Sequence, residues 1–156
     1  MILHRLSLIN YKNIAAADLE FSPKINCLIG KNGEGKTNVL DAIYYMSFCH
    51  SATSMLDALT VRHDEEYMVA VGNYSDEDGK KYEISCGVKQ HKSKKFALNK
   101  KAYKRLADHI GLIPLVMVSP NDGELVTGGG EARRKFMDIV ISQYDRLYLD
   151  SLIKYN

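Results

Sequence analysis

Eight consecutive residues, Gly30-Lys31-Asn32-Gly33-Glu34-Gly35-Lys36-Thr37, have the spacing G-x-x-x-x-G-K-[ST] of a loop that cradles phosphate. Its glycines let the backbone turn back so that successive N–H groups converge on phosphate oxygens, and the positive end of a following helix adds to the attraction. Lys36 would bring a point charge to the β and γ phosphates. Thr37 would bring a hydroxyl to Mg²⁺, a hard ion that takes oxygen ligands. The plain alternative is an accidental match in a glycine turn. Against it stands the context, an apolar run directly before the loop and a helical pattern directly after it. A nucleotide and Mg²⁺ are therefore the expected cofactors, with Gly30 to Thr37 as the nucleotide-binding residues and Thr37 as the metal ligand.

A second constellation lies between residues 80 and 105, where ten Lys or Arg residues face one acid, Glu83. Tyr82, Phe96 and Tyr103 are interleaved with them, as in grooves that track a nucleic-acid backbone. Lys92, Lys94, Lys95, Lys100 and Lys101 are the candidate DNA contacts. A solvated, charged sheet edge is the equal alternative, since edge lysines also discourage strand-to-strand association.

Other charged groups carry less. His4, His50, His63, His91 and His109 are scattered without spaced Cys or carboxylate partners, which favours surface or packing roles over a metal site. Asp64-Glu65-Glu66 reads as a solvated turn. Arg133 and Arg134 open a helix, either as a solvated first turn or in contact with nucleotide or a partner subunit.

The elements that must position these groups follow from hydrophobic period. Ile2, Leu6 and Leu8 share one parity, and Ala17, Leu19 and Phe21 alternate with Asp18 and Glu20, predicting two strands whose short connection makes them antiparallel. Ile25 to Ile29 predicts a buried strand aimed at the glycine loop. Val39, Leu40, Ile43, Tyr44 and Met46 predict a helix over 35–48. Next comes an antiparallel meander over 67–74, 82–88 and near Phe96. Pro114 to Val118 is a further apolar run, and helices are predicted after Gly128-Gly129-Gly130 and from near Asp145. The last helical pattern runs on to Asn156 without a terminator.

At 156 residues and 46% hydrophobic content, the chain can bury one core. A formal charge of +2 is too mild to announce a nucleic-acid binder by itself. Cys27, Cys49 and Cys86 form neither a disulfide framework nor a zinc pattern, and buried thiols in a reducing cytosol fit them best. No apolar run approaches the ~20 residues of a membrane span, so a cytoplasmic protein is expected.

Three stretches together resemble one family. They are Leu8-Ile9-Asn10-Tyr11-Lys12-Asn13, the loop continuing through Asn38 into Leu40-Asp41-Ala42-Ile43-Tyr44-Tyr45, and Val118-Ser119-Pro120-Asn121-Asp122 followed by Glu131-Ala132-Arg133-Arg134-Lys135-Phe136-Met137-Asp138. The loop alone points to the SMC-like group, whereas the third stretch is similar to the RecF family of bacterial DNA replication and repair proteins. One departure is Gly128-Gly129-Gly130-Glu131, where that family usually has Ser or Pro before the acidic stretch.

The resemblance implies an ATP-dependent homodimer acting in recombinational repair, replication restart and the SOS response to DNA damage. It would bind DNA at gaps and at junctions of single and double strands, and work with RecO and RecR. It further implies that Lys12 and Asn13, after the first strand, lie near the nucleotide phosphates. A solvated lysine in a hairpin turn is the alternative for Lys12.

The expected fold is α/β, a P-loop NTPase head of the ATP-binding-cassette type with an antiparallel β-subsheet. Residues 1–118 would form the front of the ATP-binding lobe and 119–156 the beginning of a helical lobe. Neither a Walker B strand nor a signature loop is present, so this reads as an N-terminal part, with weak ATPase activity expected only of the full-length dimer. A soluble P-loop phosphotransferase, another SMC-like head and a non-binding structural piece are the alternative readings.

Overall fold

The computed structural model describes residues 1–90 and 92–155, save the side chains of Asn121 and Glu124. His91, Asn156 and the Asn121 side chain therefore lie outside the described residues. Strands β1 (Ile2–Tyr11) and β2 (Ile14–Glu20) pair antiparallel through a tight turn at Lys12-Asn13. Asn10 and Lys12 both take positive φ there, 53° and 51°. β1 also pairs antiparallel with β3 (Tyr67–Ser75), which continues into β4 (Lys81–Lys89), β5 (Lys95–Leu98) and the two-residue β6 (Lys101–Ala102). The sheet has six strands in the order β2-β1-β3-β4-β5-β6.

Period-2 alternation decides which face is buried. Leu6 and Leu8 of β1, Met68, Ala70 and Tyr74 of β3, and Ile84, Cys86 and Val88 of β4 all point to one side. Helix α1 (Lys36–Phe48) lies on that side and adds Val39, Ala42, Tyr45 and Met46 to the same core. Burying one such aliphatic or aromatic side chain stabilises by about 1.5–3 kcal/mol, which is why α1 holds its place without any side-chain cap at its start. Tyr45 stacks on Phe96 of β5, with ring centroids 5.7 Å apart, and so locks the helix to the far part of the meander.

One expected strand is absent, and a second apolar run forms none either. The strand predicted over Ile25 to Ile29 is not formed: Ile25 is 84% exposed and Ile29 93% exposed. Val116 and Val118 of the run after Pro114 are likewise exposed and outside any strand. The reason is that a strand exists only as part of a ladder, and neither segment has a ladder partner among the described residues. Cys27 lies in the first of these segments and is exposed, so only Cys49 and Cys86 are the expected buried thiols. Burial pushes the Cys49 thiol up to about 12 against the opposing charge of Lys94.

The C-terminal part is helical, with α2 (Glu124–Thr127), α3 (Gly130–Ser142) and α4 (Arg146–Tyr155). Arg105, Asp108, Arg146 and Asp150 form an ion-pair cluster that ties α4 back to the segment after the meander. No helix among the described residues is long and apolar enough to cross a membrane.

Candidate phosphate-binding site

The glycine loop opens α1 as its sequence requires. Gly33 and Gly35 adopt φ of 86° and 94°, a left-handed region that L side chains rarely adopt, and Gly35 is the residue immediately before the first helical turn. A Cβ at Gly30 would collide with the Glu34 carboxylate, which accepts the Lys31 N–H at 2.9 Å. Lys36 folds back over the loop, its Nζ donating to the carbonyls of Gly30 at 2.7 Å and Lys31 at 2.6 Å. The ammonium is thereby held inside the curve of the loop, where a phosphate oxygen can replace a carbonyl as its acceptor.

The turn between β1 and β2 braces this loop. Asn13 donates from Nδ2 to the carbonyl of Gly33 at 2.7 Å and accepts from Asn38 Nδ2 at 2.7 Å, linking hairpin, loop and helix through one amide. Lys12 turns the other way. Its Nζ lies 2.5 Å from Asp41 Oδ2 and donates to Ser51 Oγ at 3.1 Å and Thr53 Oγ1 at 2.6 Å. Its side chain is only 13% exposed, so Lys12 is not a solvated hairpin lysine.

Asp41 is the hub of that arrangement and is fully buried. Besides Lys12 it accepts the Tyr11 hydroxyl at 2.7 Å, the Ser51 hydroxyl at 2.9 Å and the Ala52 N–H at 2.8 Å. Burial opposes its charge, but the hydrogen bonds from Lys12, Tyr11 and Ser51 outweigh burial and hold the carboxyl below its ordinary value. Burial and the Asp41 charge together push the Tyr11 hydroxyl far upward, so it stays a donor. Sequence reasoning missed Asp41 as a site residue. The available signal was a carboxylate in the same helical stripe as Val39, Ala42 and Tyr45, since a charge on a buried face demands a partner.

Thr37 lines a groove of about 940 Å³ together with Ser51, Thr53, Phe48, Ser119 and Phe136, among others. This brings the metal-ligand candidate of the loop into the same space as the segment that follows α1.

The basic stripe is split. Lys92, Lys95, Lys100 and Lys101 are exposed on or beside β5 and β6. Lys94 departs from the expectation of a free DNA contact. Its Nζ donates to the Cys49 carbonyl at 2.5 Å and pairs with Asp57 at 2.9 Å, and its side chain is 18% exposed. The remaining candidates fall to structural partners. His63 pairs with Asp64, Glu65 with Arg62, and Glu66 with Lys89. Arg133 donates to the Gly128 carbonyl at 3.0 Å, closing the triple-glycine turn before α3. No group of side chains among the described residues is arranged to hold a metal ion by itself.

A family described as the RecF/RecN/SMC N-terminal domain matches residues 2–121. The chain belongs to this family. Within it, relatives named RecF are similar over the whole of the chain. The DNA replication and repair protein RecF of Phocaeicola vulgatus is 59% identical over all 156 residues, and that of Parabacteroides distasonis is 51% identical over the same length. The chain spans 42% of the length of each of these relatives. Among solved structures, the recombination mediator protein RecF-ATP of the RecFOR pathway superposes with a TM-score of 0.93 at 31% identity, covering 99% of this chain and 42% of that one. An SMC ATPase studied for ATP-driven dimerisation and DNA-stimulated activation superposes with a TM-score of 0.73 at 18% identity, covering 90% of this chain and 99% of that one, a likeness of fold alone. The head-type fold expected from the loop and the antiparallel subsheet is thus the fold of which this chain forms an incomplete part.

Proposed function

We propose that this chain is the nucleotide-binding front of a RecF-type protein that couples ATP to DNA binding in recombinational repair and replication. The observation that carries the reading is the loop itself. Gly33 and Gly35 hold the positive φ that such a phosphate loop uses, Lys36 folds over the loop onto the Gly30 and Lys31 carbonyls, and Asn13 ties the loop to the first hairpin. Gly30 to Thr37 would take the ATP phosphates, with Asn13 and Lys12 in support and Thr37 offering its hydroxyl to Mg²⁺.

The relatives named RecF and the RecF-ATP structure support ATP as the nucleotide. DNA at gaps and junctions, RecO and RecR as partners, an ATP-dependent homodimer and a cytoplasmic setting complete the proposal. Residues 1–118 would serve as the front of the ATP lobe, and 119–156 as the start of a helical lobe. The exposed lysines Lys92, Lys95, Lys100 and Lys101 would meet the DNA backbone, without Lys94.

Titration of the chain with a fluorescent ATP analogue in the presence of Mg²⁺ tests this reading. Binding that falls by at least tenfold in Lys36→Ala is expected, because the variant loses a charge-assisted contact to phosphate. Equal binding by both proteins would remove the loop as the site.

A further inference from the structure

We propose that the Thr53 hydroxyl is a contact for the terminal phosphate of the bound nucleotide, held in place and polarised by the Lys12–Asp41 pair. The inference rests on the nucleotide reading of Gly30 to Thr37 and extends it to a segment outside the loop.

Thr53 and Thr37 line the same groove, from the segment after α1 and from its first turn respectively. With a nucleotide held by such a loop, Thr37 would stand at its β/γ end and offer its hydroxyl to Mg²⁺. A polar group that lines the same groove as Thr37 is therefore nearer in role to the third phosphate than to the base. Thr53 is exposed, whereas Ser51 beside it is buried and already donates its proton to Asp41.

The hydrogen-bond directions leave Thr53 the free donor. Lys12 Nζ donates to Thr53 Oγ1 at 2.6 Å, which occupies a lone pair of the hydroxyl and leaves its proton to point elsewhere. Ser51 Oγ lies 3.4 Å from Thr53 Oγ1, a long contact that a phosphate oxygen would readily displace. Accepting from an ammonium polarises an O–H and strengthens it as a donor. Lys12 is itself fixed by Asp41, so the hydroxyl rests on a buried ion pair rather than on a mobile side chain. A phosphate at this wall thus gains a hydroxyl donor directly and the Lys12 charge behind it.

ADP lacks the phosphate that this wall would read, so the test is the ratio of ATP to ADP affinity. It is measured by calorimetric titration of the full chain with each nucleotide and Mg²⁺, for the unaltered protein, Thr53→Val, Thr53→Ser and Lys36→Ala. Thr53→Val is expected to weaken ATP about tenfold while leaving ADP unchanged, and Thr53→Ser, which keeps the hydroxyl, to retain the original ratio. Because Thr53 is exposed, neither substitution removes a buried contact from the core. An unchanged ratio in Thr53→Val, or equal weakening of both nucleotides, overturns the inference while leaving the loop intact as the site. If Lys36→Ala also binds both nucleotides normally, or the unaltered protein binds neither, the nucleotide reading fails and this inference with it.

Discussion

Asn13 Nδ2 donates to the carbonyl of Gly33 across 2.7 Å, so a side chain on the first hairpin holds the glycine loop from outside. The same amide accepts from Asn38 in the first turn of α1. Loop, helix and hairpin are therefore tied together through one side chain.

Asn13→Ala removes both bonds and leaves the Gly33 carbonyl and the Asn38 amide to water. A net hydrogen bond is worth about 1 kcal/mol, so ATP affinity should fall about fivefold through a less ordered loop, with little change in melting temperature. Titration with a fluorescent ATP analogue alongside a thermal melt checks this. A large loss of stability with unchanged affinity would assign Asn13 to folding alone.

The Lys12–Asp41 pair predicts strong non-additivity. Lys12→Met leaves a fully buried carboxylate without its cation and should destabilise by about 3 kcal/mol. Lys12→Met with Asp41→Asn removes the charge as well, and the double variant should recover at least about 1 kcal/mol relative to the sum of the single costs. Urea unfolding of the four proteins measures the coupling, and strict additivity would show that the pair is not coupled.

His109 predicts a pH dependence. It is fully buried, its Nε2 donating to the Met46 carbonyl at 2.6 Å and its Nδ1 accepting from Tyr103 at 3.1 Å in the neutral ring. Burial lowers its pKa below 6.5, partly offset by the Met46 carbonyl. Below that value the unfolded chain takes up a proton that the folded one resists, so its contribution is full above about pH 6.5 and is lost as pH falls through the lower folded value. Stability measured at pH 7.5 and 5.5 should drop, and the drop should shrink in His109→Gln. A difference of the same size in the variant would place the effect on other groups.

The basic stripe separates into two behaviours. Replacing Lys92, Lys95, Lys100 and Lys101 with Glu should flatten the salt dependence of DNA binding while leaving the melting temperature nearly unchanged, because these side chains are exposed. Lys94→Met should lower the melting temperature instead, since Lys94 joins Asp57 and the Cys49 carbonyl across the end of α1. An unchanged salt slope in the first variant would return the stripe to a solvated sheet edge.

The local code was legible wherever a pattern has one physical meaning. Gly30 to Thr37 announces its loop because few residue types other than glycine tolerate the positive φ found at Gly33 and Gly35, and the helix after it follows from the spacing of Val39, Ile43 and Met46. The meander was legible from alternation, and its last short strand, Lys101–Ala102, was missed because two residues carry no period. Ile25 to Ile29 misled for the opposite reason. An apolar run specifies burial, but whether it becomes a strand depends on a neighbour elsewhere in the chain.

The sequence by itself thus determined the loop, the first hairpin, the helix after the loop and the family resemblance, because each is written in short contiguous stretches. Only the tertiary structure decided that Lys12 links Asp41 to Thr53, that Asn13 reaches Gly33, and that Lys94 turns from the basic surface to Asp57. The reason is distance along the chain. A charge on a buried helix face must find a partner, but which of 21 Lys and Arg residues supplies it is settled by how the hairpin docks on the helix.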